Sequence, residues 1–181
     1  MKGKIATNQT PTVEPGTYEA TLERVTAWSA LKYQSTNDYE PTLTFVWNLG
    51  EDDSGNPIRM YDAYVRIPLS QDGYPVLKGA GKLYNRVSAL YGTRFDAHDP
   101  NLDWELQLPD MYDSPEGLEA LPRIEERNDE GFRPVEVRSI KIAGRELIGQ
   151  SCLLVVGEKN GRIRVLEANP APRSPKRQLL Y

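Results

Sequence analysis

The chain has 181 residues, a formal net charge of −4, 39% hydrophobic and 27% charged side chains, and this matches one globular domain with enough surface to bury for a core. Its longest apolar run, Cys152 to Val156, is five residues, far short of the ~20 that a membrane-crossing helix needs, and the polar opening through Thr10 offers no secretory signal. One cysteine forbids an internal disulfide, and one cysteine with one histidine excludes a zinc site of the usual composition and nearly excludes His/Cys nucleophilic chemistry. The expectation is a reduced, cytoplasmic protein with no cofactor and no membrane partner.

Residues 1–15 are polar, contain Pro11 and Pro15, and read as a loose N-terminal arm. From Gly16 the pattern alternates, with Tyr18, Ala20 and Leu22 against Thr17, Glu19, Thr21 and Glu23, a strand that continues toward Trp28. After the polar stretch from Ser29 to Pro41, a second strand from Thr42 to Leu49 puts Leu43, Phe45, Trp47 and Leu49 on one face. A loop over Gly50–Pro57 leads to a third strand, Ile58 to Ile67, with Tyr61, Ala63, Val65 and Ile67 on one face and Met60, Asp62, Tyr64 and Arg66 on the other.

The period then changes. Ala80, Leu83, Tyr84, Val87 and Leu90 repeat at helical spacing, which predicts an amphipathic helix from Lys78, stopped by Gly92 in a left-handed turn. Between Asp96 and Glu130 twelve carboxylates face only two arginines, Arg123 and Arg127, a net of −10 that leaves the remainder of the chain at +6. Prolines 100, 109, 115 and 122 break this segment, but Leu102, Trp104, Leu106, Leu108, Leu118 and Leu121 make it too apolar for a disordered tract, so an ordered insertion is expected. A weak strand signal at Arg133–Arg138 precedes strong ones at Gln150–Glu158 and Arg162–Ala168, joined by the tight turn Lys159-Asn160-Gly161. The tail from Asn169 to Tyr181 is basic and proline-rich and reads as flexible.

Three strands, a helix and a closing strand hairpin form the element order of a mainly β, OB-like five-stranded barrel. Its helix lies between strands three and four, and here residues 96–130 would be an acidic insertion within a single domain spanning 16–168. A β-sandwich needs about seven strands, more than the five good and one weak segments counted. Pro15-Gly16-Thr17-Tyr18-Glu19-Ala20, Leu43-Thr44-Phe45-Val46-Trp47 and Leu147-Ile148-Gly149-Gln150-Ser151-Cys152 resemble phage-encoded single-stranded-DNA-binding proteins of OB-fold type. The resemblance spans roughly residues 14–92 and 145–170. It implies a viral protein of the host cytoplasm that coats or handles single-stranded DNA in replication or recombination.

Single-strand binders combine a positive groove with aromatic platforms. Strand parity assigns Phe45, Trp47 and Tyr61 to the core and leaves Tyr64 and Arg66 facing outward. Trp28, Lys32, Tyr33 and Tyr39 sit in or beside the first loop, where base stacking and plain loop packing both remain open. Arg162 and Arg164 alternate outward on the last strand, as phosphate contacts or as a charged edge that resists aggregation. These eight residues are the candidate nucleic-acid contacts. The acidic insertion has three readings: a solvated lobe, a docking surface for a replication or recombination protein anchored by Trp104 and Leu106, or a self-inhibitor of the basic groove. A protein-interaction or virion-associated β-domain acting through that insertion is therefore the alternative function.

Catalytic signals are weak. Gly79-Ala80-Gly81-Lys82 lacks the first glycine of a phosphate loop and has Leu83 where Ser or Thr is needed. Asp52-Asp53-Ser54-Gly55 lacks calcium-loop spacing, and the Glu136-x-Arg138 and Glu158-x-Asn160 pairs lack the lysine of a metal nuclease. No enzyme is expected.

Overall fold

The computed structural model describes residues 13–123 and 132–172; the arm before Val13, residues 124–131 of the acidic segment and the tail from Arg173 lie outside the described residues. The alternating stretches form β1 (Gly16–Leu31), β2 (Tyr39–Glu51) and β3 (Pro57–Arg66), followed by helix α1 (Lys82–Tyr91). The acidic segment contributes β4 (Trp104–Gln107) and the short helix α2 (Pro115–Glu119). The chain ends in β5 (Val135–Glu136), β6 (Ser139–Ile142), β7 (Arg145–Glu146), β8 (Ser151–Lys159) and β9 (Arg162–Asn169). The protein is mainly β, with antiparallel pairing throughout both of its sheets.

The main sheet runs β3-β2-β1-β8-β9, with β5 also on β1, and a smaller sheet runs β4-β6-β7. One long strand organises the first. Residues 21–31 of β1 pair with β2, while residues 16–21 pair with β8. The register shifts between Leu22 and Arg24, so Ala20 and Leu22 point inward before the shift and Val25 and Ala27 after it. That bulge lets β1 serve both halves of the sheet.

The expected OB-like five-stranded barrel does not close: β3 and β9 are the two ends of an open sheet, and among the described residues no ladder joins them. Helix α1 fills the seam instead. Arg86, 1% exposed, donates from Nε to Asp62 Oδ2 at 2.7 Å and from Nη2 to Asp62 Oδ1 at 3.2 Å, and Nη2 also reaches the Val165 carbonyl of β9 at 3.3 Å. Trp47 Nε1 donates to Asp62 Oδ2 at 3.3 Å. Asn85 pairs with β9 as a strand would, accepting from Ala168 N at 2.8 Å and donating to Ala168 O at 3.1 Å. Asp62 was expected on the solvent face; it is 4% exposed because Arg86 needs a buried counter-charge.

Helix α1 begins four residues later than its periodicity predicts, after Gly81 at φ 96°, and ends as expected with Gly92 at φ 99° donating to Ser88 O. Asn160 and Gly161 take φ 55° and 75°, the turn their sequence predicts. The hairpin between β6 and β7 uses the same geometry at Ala143 and Gly144, φ 49° and 76°. The sequence does not announce it, because alanine rarely accepts that conformation.

The described part of the acidic segment, up to Arg123, is drawn into the fold. Leu108, Leu118 and Leu121 are buried in the same core as Leu22, Phe45 and Trp47, and Trp104 and Leu106 pack half-buried against it. Ser114 caps α2 by accepting from Gly117 N, and Ser29 N of β1 donates to Pro122 O at 2.8 Å. Trp104 and Leu106 therefore lose most of the surface that a docking anchor needs.

Two expectations follow from this core. Arg86→Ala leaves a buried, uncompensated carboxylate and should cost about 3–5 kcal/mol in urea unfolding, whereas Glu23→Gln, which breaks the exposed pair with Arg59, should cost no more than about 1 kcal/mol. Burial pushes the Cys152 thiol from 9.0 up to about 12. The unfolded thiol ionises first as pH rises, so its contribution to stability is complete below pH 9.0 and is lost between 9.0 and about 12. The loss runs at about 1.4 kcal/mol per pH unit. Alkaline unfolding should show this slope, and Cys152→Ala should flatten it.

Candidate nucleic-acid interface

The outer face of β1, β2 and β3 is shaped by a second bulge. Leu43 pairs with Val65 and Phe45 with Asp62, so Ala63 and Tyr64 together oppose Thr44. Tyr64 absorbs the extra residue at φ 59°, in the left-handed region. Before the bulge Met60 and Asp62 point inward; after it Val65 and Ile67 do. Tyr61 and Tyr64 consequently share the outer face, 55% and 51% exposed. The placement of Tyr61 in the core is thus corrected, since parity carries only as far as the next bulge. Phe45 and Trp47 lie in the core as expected, fully buried.

Trp28 lies within β1, not in the loop, and is 5% exposed. Its Nε1 donates to Thr44 Oγ1 at 3.0 Å, and its ring meets Tyr64 edge-on with centroids 5.1 Å apart and Phe132 with centroids 6.2 Å apart. Buried this far, it supports Tyr64 instead of offering a free face to a base. Together these rings, with Val46, Tyr61 and Pro134, line an open groove of about 350 Å3.

Arg66 is less available than parity suggests. It is ion-paired with Glu40, donates to Leu31 O at 3.4 Å, and holds its guanidinium 5.9 Å from the Tyr64 ring centroid. It therefore steadies Tyr64. Arg162 and Arg164 are exposed on β9 and make no ion pair among the described residues. With Lys82 they face Tyr61 and Tyr64 across a groove of about 210 Å3 at the β3–β9 seam. The carboxylate there, Asp62, is committed to Arg86. Desolvation by the packed seam beside it, and then the cations Arg86, Arg164 and Lys159, lower the pKa of the surface-exposed Lys82 ammonium, with Asp62 acting in the opposite direction.

The remaining candidates gather elsewhere. Lys32 N donates to Asp38 O at 2.8 Å within the β1–β2 loop, and Tyr33 is 86% exposed. Tyr39 opens β2 with the Arg123 guanidinium 4.3 Å from its ring centroid. Lys32, Tyr39 and Arg123 line a separate cleft of about 640 Å3 against α2. The eight candidates thus divide into a β-face group, comprising Tyr64, Arg66, Arg162, Arg164 and the buried Trp28, and a loop group, comprising Lys32, Tyr33 and Tyr39.

Sequence reasoning missed Tyr61 and Lys82. No local signal marks the bulge that turns Tyr61 outward, and the helical period absorbs Lys82 into the start of α1. Among the described residues no three His, Cys, Asp or Glu side chains gather as a metal site, and no helix is long and apolar enough to cross a membrane. Comparison with protein-family models, curated protein sequences and solved structures finds no match.

Because Tyr64 sits at positive φ, Tyr64→Gly should be about 1 kcal/mol more stable than Tyr64→Ala in chemical denaturation, the reverse of their order in an ordinary strand.

Proposed function

We propose that the protein binds single-stranded DNA without catalysing a reaction, as an opened variant of the OB-type fold acting in phage replication or recombination. The order β3-β2-β1-β8-β9, with α1 bridging the two free ends, supports the OB-type reading. The observation that carries the function is the placing of two exposed tyrosines, Tyr61 and Tyr64, opposite Arg162 and Arg164, which make no ion pair among the described residues, across one groove. Bases offer π-faces to the tyrosines and phosphates offer charge to the arginines, and neither demand depends on sequence. Trp28 and Arg66 position Tyr64. Lys32, Tyr33 and Tyr39 lie outside this groove and are not part of the proposed contact. A protein-interaction role through residues 96–130 has less support, because the expected anchors Trp104 and Leu106 pack half-buried against the core that also takes in Leu108, Leu118 and Leu121.

Fluorescence anisotropy of labelled oligo-dT, with duplex of equal length as control, tests this reading. Tight, salt-sensitive binding that prefers the single strand is expected. Tyr61→Ala and Tyr64→Ala should each weaken it by about 1–3 kcal/mol, and Arg162→Gln and Arg164→Gln should each reduce the salt slope by about 0.7. Absence of binding at low salt overturns the proposal.

A further inference from the structure

Two routes lead away from the tyrosine face. We propose that the single strand crosses the β3–β9 seam at Lys82 and continues along a second phosphate-binding segment formed by Lys82 and Lys78, instead of entering the larger cleft against α2. This inference rests on the single-stranded-DNA reading and adds two binding residues and a direction to it.

Continuity is the first reason. Tyr64 and Lys82 line both the seam groove and a neighbouring groove of about 420 Å3 that also includes Arg66 and Lys78. A chain lying over Tyr64 therefore passes from one to the other without leaving the surface.

Charge decides between the routes. The 420 Å3 groove is lined by three cations and no carboxylate. One of these, Arg66, is already neutralised by Glu40, but Lys78 and Lys82 are exposed and make no ion pair among the described residues. The 640 Å3 cleft sets Lys32, Lys78 and Arg123 against Asp38, Glu40 and Glu119, and Arg123 is already engaged on the Tyr39 ring. A polyanion entering the cleft meets as many carboxylates as cations; one following the other groove meets none. The crowding of Lys82 by Arg86, Arg164 and Lys159 acts in the same sense, since a phosphate supplies the counter-charge that Asp62 has committed to Arg86.

Shape permits the approach. Gly79, Ala80 and Gly81 lie between the two lysines and are all exposed, and the space around the Cβ position of Gly81 is empty to 4 Å. At Gly79 the Ala97 and His98 side chains come within 3.8 and 3.9 Å of the Cβ position, so the open side of this stretch is at Gly81, next to Lys82. Of the two tyrosines that line this groove, Tyr84 already donates its hydroxyl to Phe95 O at 2.5 Å, so Tyr64 is left to meet a base while the lysines meet the backbone.

The test measures salt dependence with two probes, oligo-dT and an abasic deoxyribose-phosphate chain, on the full-length protein. Lys78→Gln and Lys82→Gln should each lower the slope of log affinity against log salt by about 0.7, one single-strand phosphate apiece. Both should weaken the abasic chain, whereas Tyr64→Ala should leave that probe unaffected. Lys141→Gln, on β6 of the small sheet, is the charge control and should change neither probe. Because Lys78 also borders the larger cleft, Lys82→Gln decides the route: an unchanged slope in Lys82→Gln, with any loss confined to Lys32→Gln and Lys78→Gln, overturns it while leaving the single-stranded-DNA reading intact. Failure of the wild-type protein to bind either probe overturns both.

Discussion

The buried pair of Asp62 and Arg86 is the interaction on which the arrangement depends. Two sheet ends, β3 and β9, stand beside each other without a ladder, and unpaired strand edges inside a core leave peptide groups without partners. Arg86 meets that demand from the helix. Its fork satisfies the Asp62 carboxylate on β3 and the Val165 carbonyl on β9, while its second terminal nitrogen donates to Asn85 Oδ1 at 2.7 Å. Asn85 in turn satisfies both backbone groups of Ala168. Desolvating two charges is expensive and often exceeds their mutual attraction. The pair is tolerable here because nearly every donor and acceptor around it is used, Trp47 Nε1 included. A helix thus stands where strand pairing would close a barrel, and the seam it fills is also where the aromatic and basic side chains converge.

The bulges connect this scaffold to the candidate site. An unbroken β3 presents every second residue to one face, so it cannot put Asp62 under the helix and Val65 in the core while leaving both tyrosines outside. One extra residue at Ala63–Tyr64 resolves the conflict. The strain falls on Tyr64, whose positive φ is held by the Trp28 edge contact and by Arg66 beside its ring. Strain at an exposed aromatic residue, braced by buried Trp28 and half-buried Arg66, fixes the orientation of the Tyr64 ring.

Charge is distributed as deliberately as apolar surface. The acidic segment holds a net of −10, yet its leucines are drawn into the common core and its strand β4 pairs with β6. Its carboxylates border the cleft against α2 through Glu119, while the groove at α1 has no carboxylate in its lining. A protein with an acidic overall balance therefore keeps a local basic track, which whole-chain charge does not reveal.

The sequence by itself determined the strand-rich class, the positions of five main strands, the α1 stop at Gly92, the Asn160-Gly161 turn and the burial of Phe45 and Trp47. Each of these is written in local period or in turn chemistry that neighbouring residues settle among themselves. Only the tertiary structure decided the open sheet, the burial of Asp62 and Arg86, the outward turn of Tyr61 and the absorption of the acidic leucines into the core. These depend on residues far apart in the chain: Arg86 is buried because Asp62, 24 positions earlier, and Val165, 79 positions later, surround it. Trp28 makes the same point, for its place in β1 is legible locally, but its loss of a free face comes from Tyr64 and Phe132. A bulge shifts parity only when the partner strand enforces the register, and no single segment carries that information.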